Sequence, residues 1–372
     1  MKMKIWSEFR NPQYVQGLVE QIRQRANGRQ ITLMEVCGTH TMAIHRFGLR
    51  KLLPENIELL SGPGCPVCVT PNDYLDRAIA LSQIPDVIIT TFGDMVKVPG
   101  SYSSLEKEQA SGGDVRIVYS PLDALEIARQ NPDKKVIFLG VGFETTTPTV
   151  ATVLKMAIEQ KLKNFYVLSA HKLIPPAMAA LMQTEQSRKG EVKTRVQVDG
   201  FLCPGHVSAI IGSEPYRFLA EQYGKACVVT GFEPLDILQA ISMLVEQIVT
   251  DKPAVAIQYR RVVRPEGNPQ ALSLLEEMFE VEDTIWRGIG SIPQSGLKIR
   301  EQFGNLDAAK QIEVEIPPSV EPKGCICGLI LQGLKKPVDC PLFAVHCTPE
   351  SPVGACMVSS EGTCAAYYKY GE

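Results

Sequence analysis

No stretch of this chain approaches the roughly 18 apolar residues that a membrane-spanning helix requires, and the N-terminal MKMKIWSEFRNPQYV is charged and then polar, without the apolar centre of a secretion signal. Neither sign of charge is in excess. The 38 lysines and arginines stand against 41 aspartates and glutamates, which removes the electrostatic case for nucleic acid or an anionic membrane as the main partner. Also missing are the GxxxxGK[ST] of a P-loop and the C-x3-C-x2-C used by radical enzymes that bind S-adenosylmethionine. GVGFET matches a dinucleotide fingerprint too loosely to count. The expectation is a cytoplasmic protein whose partners must be read from its sites.

What the chain has in quantity is sulfur. Eleven cysteines occur in 372 residues. An odd total without a secretion signal suits thiolates and metal better than a disulfide framework. All but Cys203 and Cys227 fall into two constellations: Cys37, Cys65 and Cys68 near the start, in MEVCGTH and SGPGCPVCVTP, and Cys325, Cys327, Cys340, Cys347, Cys356 and Cys364 at the end. Glycine and proline surround the first group, as they do where a backbone folds tightly around a bound group.

A chain of this length exceeds one ordinary core, so two or three domains are expected. Short Val- and Ile-rich runs (ITLMEV, IELLS, DVIITT, VRIVYS, KVIFLG, FYVLSA, DGFLC, ACVVTG) each lead into a Gly, Pro or Ser/Thr loop and a helical pattern. That rhythm predicts an α/β fold built on buried parallel strands. SPLDALEIA (120–128) is echoed by EPLDILQAI (233–241), with Ser120 and Asp123 spaced as a capping box. The echo predicts two related parallel-sheet lobes facing a cleft, with a single eight-stranded barrel as the alternative. The expected division is a first lobe over 30–120 carrying Cys37, Cys65 and Cys68, and a second over 121–250, part of which returns to the first. A smaller iron–sulfur domain is expected over 251–372, where Gly, Pro and charge become frequent, with the N-terminal helix (1–29) packed on it.

In parallel sheets, ligands bind beyond the carboxyl ends of strands. The chemically loaded strings stand there. Cys37 precedes a helix expected to begin near Thr39 or Thr41, whose free N–H groups would lower the thiol pKa, and His40 is close enough to add charge or a ligand. Cys65 and Cys68 form a Cys-x-x-Cys that suits a reducible disulfide or two ligands to a soft metal, iron or zinc. With Cys37 they make three ligands and leave one position open. Acid–base candidates on the loops are Asp94 in FGD, Glu144 in GFETT, His171 in SAHK and His206 in CPGH, each of which could equally be a cap or a satisfied loop residue. Cys203 shares the CPGH loop, and Cys227 reads as core. In the tail, Cys325, Cys340, Cys347 and Cys364 could hold a [4Fe–4S] cluster, leaving Cys327 and Cys356 as a redox pair, although spacing alone does not choose four ligands from six and a structural zinc is the alternative.

MEVCGTHTMAIHRFGL, SGPGCPVCVTP, TTFGDMVKVPGS, GVGFETTTPT, SAHKLIPPAM, GFLCPGHVS, TGFEPLDIL and the tail from Cys340, in this order, resemble the HypD family of [NiFe]-hydrogenase maturation proteins from about residue 30 to the C-terminus. The resemblance implies a scaffold that, with a HypC-type chaperone, assembles an Fe(CN)2CO unit. A HypE-type donor would supply cyanide carried as thiocyanate. The family's iron-associated and redox cysteines fall on Cys37, Cys65 and Cys68. Its cluster spacing of fourteen, six and sixteen intervening residues falls on Cys325, Cys340, Cys347 and Cys364. Cys327 and Cys356 would then exchange electrons with Cys65 and Cys68, as in ferredoxin-dependent thioredoxin reductases. The chain by itself is expected to be monomeric. Two other functions compete with this one: a general iron–sulfur-dependent thiol–disulfide oxidoreductase, and a zinc-stabilised interaction protein.

Overall fold

The computed structural model describes residues 8–183 and 197–371. Among them, eleven strands form two open sheets: β1 (Ile31–Glu35), β2 (Ile57–Ser61), β3 (Val87–Thr91), β4 (Asp114–Ile117), β5 (Lys135–Gly142), β6 (Phe165–Lys172), β7 (Gly200–Pro204), β8 (Ala226–Thr230), β9 (Val255–Ile257), β10 (Phe279–Trp286) and β11 (Gly290–Ile299). The first sheet has the order β2-β1-β7-β8-β9, parallel throughout. The second runs β10-β11-β6-β5-β3-β4, parallel except where the β10–β11 hairpin joins its edge. Two sheets replace the barrel alternative. Their central strands are Val- and Ile-rich because both faces are covered.

Each sheet has an outer and an inner core. Helices Pro12–Ala26 and Pro234–Val249 cover the outer face of the first sheet, and helices Pro121–Gln130, Thr147–Glu159 and Pro269–Met278 that of the second. The inner faces share one apolar cluster that joins Met34 and Val229 of the first sheet to Ile89 and Leu139 of the second and to Ile330 and Cys356 of the tail.

Sheet membership does not follow a cut at residue 120. The chain leaves the first sheet after β2, builds β3 to β6 of the second, and returns to the first with β7, β8 and β9. Nor is everything after residue 250 a separate unit, because β9 lies in the first sheet and β10 and β11 in the second. FEVEDTIW is buried at both ends and half-exposed or exposed between them, as an edge hairpin allows. Helix Pro12–Ala26 packs on helix Pro234–Val249 rather than on the tail, since its stripe Val15, Val19, Ile22 and Ala26 needs a long apolar helix face opposite.

The repeated SPLD and EPLD strings both form capping boxes, at Ser120/Asp123 and Glu233/Asp236. Their surroundings differ. Asp123 is exposed, whereas Asp236 is fully buried and accepts hydrogen bonds from Arg261 and from Gln258 Nε2 at 2.9 Å. Arg261 is exposed, but Asp236 itself is buried, and removing a buried carboxylate that accepts charge-assisted hydrogen bonds costs more than losing a solvated cap. Asp236→Ala should therefore lower the urea-unfolding free energy by about 2–3 kcal/mol, and Asp123→Ala by only about 1 kcal/mol. Equal losses would mean that burial does not distinguish the two boxes.

Candidate functional site

The turns after β1 and β2 are locked together by their backbones. The Gly62 amide donates to the carbonyl of Glu35 at 2.7 Å, and the Gly38 amide to that of Gly64 at 2.9 Å. A Cβ on Gly64 would fall on the backbone of Cys37, so glycine is required there. This places Cys37 against the residue preceding Cys65. Cys65 and Cys68 are joined in a disulfide with Cα atoms 5.3 Å apart. The site lies where β1 sends the chain to β2 on one side and has β7 on the other, which is the reversal point at which open α/β sheets bind ligands.

Cys37 is the N-cap of helix Gly38–Arg46, which starts one residue before the earliest expected position. The anticipated lowering of its pKa does not hold. The Thr39 and His40 amides favour the thiolate, but burial, together with nearby Glu361 and Glu35, pushes the thiol up to about 12. Glu35 was not singled out from the sequence, although an acid inside the apolar run ITLMEV was the available signal. It is fully buried, accepts from Thr41 Oγ1 at 2.6 Å and the Cys37 amide at 3.3 Å, and is pushed up to about 7 by burial.

Cys68 sits in the short helix Pro66–Val69, which leaves the first sheet and packs on β5 of the second. The Arg287 amide donates to the Val69 carbonyl at 2.9 Å, tying that helix to the β10–β11 hairpin. The tail closes over the other side. Helix Ala355–Val358 packs on helix Pro66–Val69, and helix Thr363–Tyr370 on helix Gly38–Arg46. Glu361, also missed from the sequence, accepts from Thr39 Oγ1 at 2.5 Å, and Ser359 Oγ donates to Asp94 at 2.8 Å.

Within the tail, Cys325 and Cys327 sulfurs are 3.2 Å apart, and Cys327 interacts in turn with Cys356 and Cys364. A Cβ on Gly354 would strike both Cys325 and Cys327 sulfurs, so glycine lets the chain pass over them. Cys340 Sγ faces the carbonyl of Gly324, and Cys347 Sγ accepts from the Val353 amide at 3.3 Å, one residue from Gly354. Cys325, Cys327, Cys356 and Cys364 thus lie together, while Cys340 and Cys347 stand on loops beside Gly324 and Val353; thiols as donors suit soft metals. Among the described residues, no three His, Cys, Asp or Glu side chains stand in metal-ligating geometry.

The acid–base candidates do not form one constellation. His40 is buried, contacts the Gly231 carbonyl through Nε2 at 3.0 Å and stacks on Phe232; His206 stacks on the same ring. Burial pushes His40 down to about 4. Glu144 is buried after β5 and accepts from the Ile174 amide at 3.0 Å through Oε1. His171 lies inside β6, with Nδ1 3.0 Å from Ser169 Oγ, and burial pushes it down to about 3. His40 Nδ1, Glu144 Oε2 and His171 Nε2 have no partner among the described residues. Cys203 and Cys227 are core residues of β7 and β8. Lys172, next to His171, is buried as well and donates to the Ile285 carbonyl at 2.8 Å.

Burial raises Glu144 from 4.5 to about 7, so between those values the folded chain keeps a proton that the unfolded chain has released. Its contribution to stability is present below the unfolded pKa and is lost as pH rises through the folded one. Glu144→Gln retains an acceptor for Ile174 and cannot ionise. The stability of the variant relative to wild type should grow from pH 4.5 to 7 by about 3 kcal/mol and then level off. Parallel pH profiles in urea unfolding would contradict this.

With this geometry in place, comparison with known proteins is specific. The family model HypD, "Hydrogenase formation hypA family", matches residues 13–371. The chain is 46% identical over 372 residues to hydrogenase maturation factor HypD2 of Bradyrhizobium diazoefficiens, covering 99% of this chain and 97% of that protein. It is 45% identical over 372 residues to hydrogenase maturation factor HypD of Cupriavidus necator, with the same coverage. To hydrogenase maturation factor HypD of Escherichia coli it is 44% identical over 375 residues, covering 99% and 98%. The chain belongs to the HypD family of hydrogenase maturation factors.

Proposed function

We propose that this protein is a cytoplasmic scaffold that, with a HypC-type chaperone and a HypE-type cyanide donor, assembles the Fe(CN)2CO unit of [NiFe]-hydrogenases. The observation that carries the reading is the backbone lock that holds Cys37 against Gly64, beside the Cys65–Cys68 pair. The substrate is an iron ion, which thiolates bind in preference to magnesium or calcium. Burial keeps the Cys37 thiol protonated until a cation displaces its proton, so loading is coupled to proton release. Cys65 and Cys68 become ligands only when their disulfide is reduced.

That reduction is assigned to the tail. A thiolate of the Cys327/Cys356 pair attacks Cys68, the Cys65–Cys68 bond breaks and Cys65 leaves as thiolate. The second tail thiol then displaces Cys68, leaving a Cys327–Cys356 disulfide and two free thiols in CPVC. Packing of the Cys356 helix on the Cys68 helix supports this route. The donor chemistry of the tail fits a [4Fe–4S] cluster, proposed on Cys325, Cys340, Cys347 and Cys364, which would supply electrons to regenerate the dithiol. His40, Glu144 and His206 are proposed to hold or move protons around the iron site; His171, which packs on Phe279 in the outer core of the second sheet, has no such role in this reading. The general oxidoreductase reading is less suitable, because Cys65 is 3% and Cys68 0% exposed, whereas thiols that attack external protein disulfides must be accessible. The chain is proposed to be a monomer when its partners are absent.

Two experiments test this. Anaerobically purified complexes with a HypC-type chaperone should show infrared bands of iron-bound CN and CO, and Cys37→Ala, Cys65→Ala and Cys68→Ala should each abolish them while the protein stays folded. Bands retained in all three would refute the iron assignment. Iron and sulfide content should fall to near zero in Cys340→Ser and Cys347→Ser and persist in Cys327→Ser and Cys356→Ser. The reverse pattern would overturn the proposed ligand set.

A further inference from the structure

The turn of the β10–β11 hairpin, residues 287–289, reaches into the cysteine-bearing tail. Gly288, at φ +73°, lies so close to Gly328 that a Cβ on either residue would strike the other's backbone. Gln332 Nε2 donates to both their carbonyls, at 2.9 Å each. Gly328 follows Cys327, so this contact fixes Arg287 beside the Cys325 and Cys327 segment. The Arg287 amide is taken by the Val69 carbonyl, which leaves the side chain to be explained.

That side chain is buried and poorly paired. Arg287 is 5% exposed; its Nε lies 3.3 Å from Glu321, whose side chain is 60% exposed, and its Nη1 has no acceptor among the described residues. A desolvated guanidinium with a single solvated carboxylate for a partner is costly unless further negative charge completes the pairing. After its hydrogen bond with Cys327, the Cys325 sulfur feels Arg287, which favours its thiolate, and Glu321, which opposes it. Neutral thiols in the tail give Arg287 nothing to balance. Thiolates holding a metal group do.

We propose that Arg287 is the counter-charge of the tail's iron–sulfur group and raises its reduction potential. The inference rests on the [4Fe–4S] reading above. One-electron reduction adds negative charge to a site already held by thiolates, and a fixed cation away from water stabilises the reduced form more than the oxidised one. Glu321, exposed and screened by solvent, offsets only part of that field. Arg287 touches no substrate, so it is a positioning residue, set by the Gly288–Gly328 contact and acting through the ligand Cys325.

Potentiometric titration of the anaerobically purified full chain with dithionite, followed by electron paramagnetic resonance, tests this. Arg287→Met should hold as much iron and sulfide as wild type but be at least tenfold harder to reduce, a midpoint lower by about 59 mV. Arg287→Lys should recover most of that loss, and Glu321→Gln should move the midpoint upward. Equal midpoints in Arg287→Met and wild type would overturn the inference, as would an Arg287→Lys midpoint as low as that of Arg287→Met, which assigns the effect to packing rather than charge. Should Arg287→Met fail to fold or load, Glu321→Gln decides, and a midpoint no higher than wild type overturns the proposal. Wild-type protein without iron and sulfide would instead refute the [4Fe–4S] reading itself and the inference with it.

Discussion

The close approach of Gly64 to the Cys37 backbone is the constraint on which the site depends. Two turns that follow adjacent parallel strands would ordinarily diverge to enter their helices. Here the Gly62 and Gly38 amides bind them across the strand ends, and only a residue without a side chain lets the chains meet. Everything sulfur-based follows from that contact, because the residue after Gly64 is Cys65 and Cys68 lies one helical turn further on. The Pro66–Val69 helix then carries the cysteine pair to the second sheet, making the thiols a joint between the two lobes.

Burial sets the protonation of what surrounds them. Cys37 near 12, Glu35 near 7 and His40 near 4 are all moved toward their neutral forms, and desolvation is the largest cause in each case. Neutral, buried soft donors differ from a generic reactive-cysteine site, which is electropositive and open. On the proposed reading, deprotonation accompanies cation binding rather than preceding it.

The tail serves as a lid built from the chain's own C-terminus. Residues 317–321 are strapped to the first half of the chain by Tyr102 OH to the Pro318 carbonyl at 2.9 Å, Ser319 Oγ to Asp76 at 2.7 Å and Asn72 Nδ2 to the Val320 carbonyl at 2.8 Å. Beyond them the two short helices bearing Cys356 and Cys364 settle against those of Cys68 and Cys37. Helices that carry thiols remote in sequence thereby pack against one another.

Much of this was legible in the residues alone. Val/Ile runs punctuated by Gly and Pro specify buried parallel strands, and the SPLD and EPLD strings specify helix starts, since each depends on local backbone preference and burial. Family membership could likewise be recognised from motif order. What local sequence could not carry was pairing in detail: that β3 and β4 belong to the second sheet, which strands return to β1 and β2, that FEVEDTIW extends the second sheet, and that helix Pro12–Ala26 seeks Pro234–Val249. Nor could it show that burial and two distant acids would outweigh the helix N-terminus at Cys37, or that Glu35 and Glu361 would converge there. The types of element and the chemical character of the donors were determined by the sequence itself. Which donors meet, and in what charge state, was decided by tertiary packing, because contact and desolvation arise only when segments remote along the chain exclude water together.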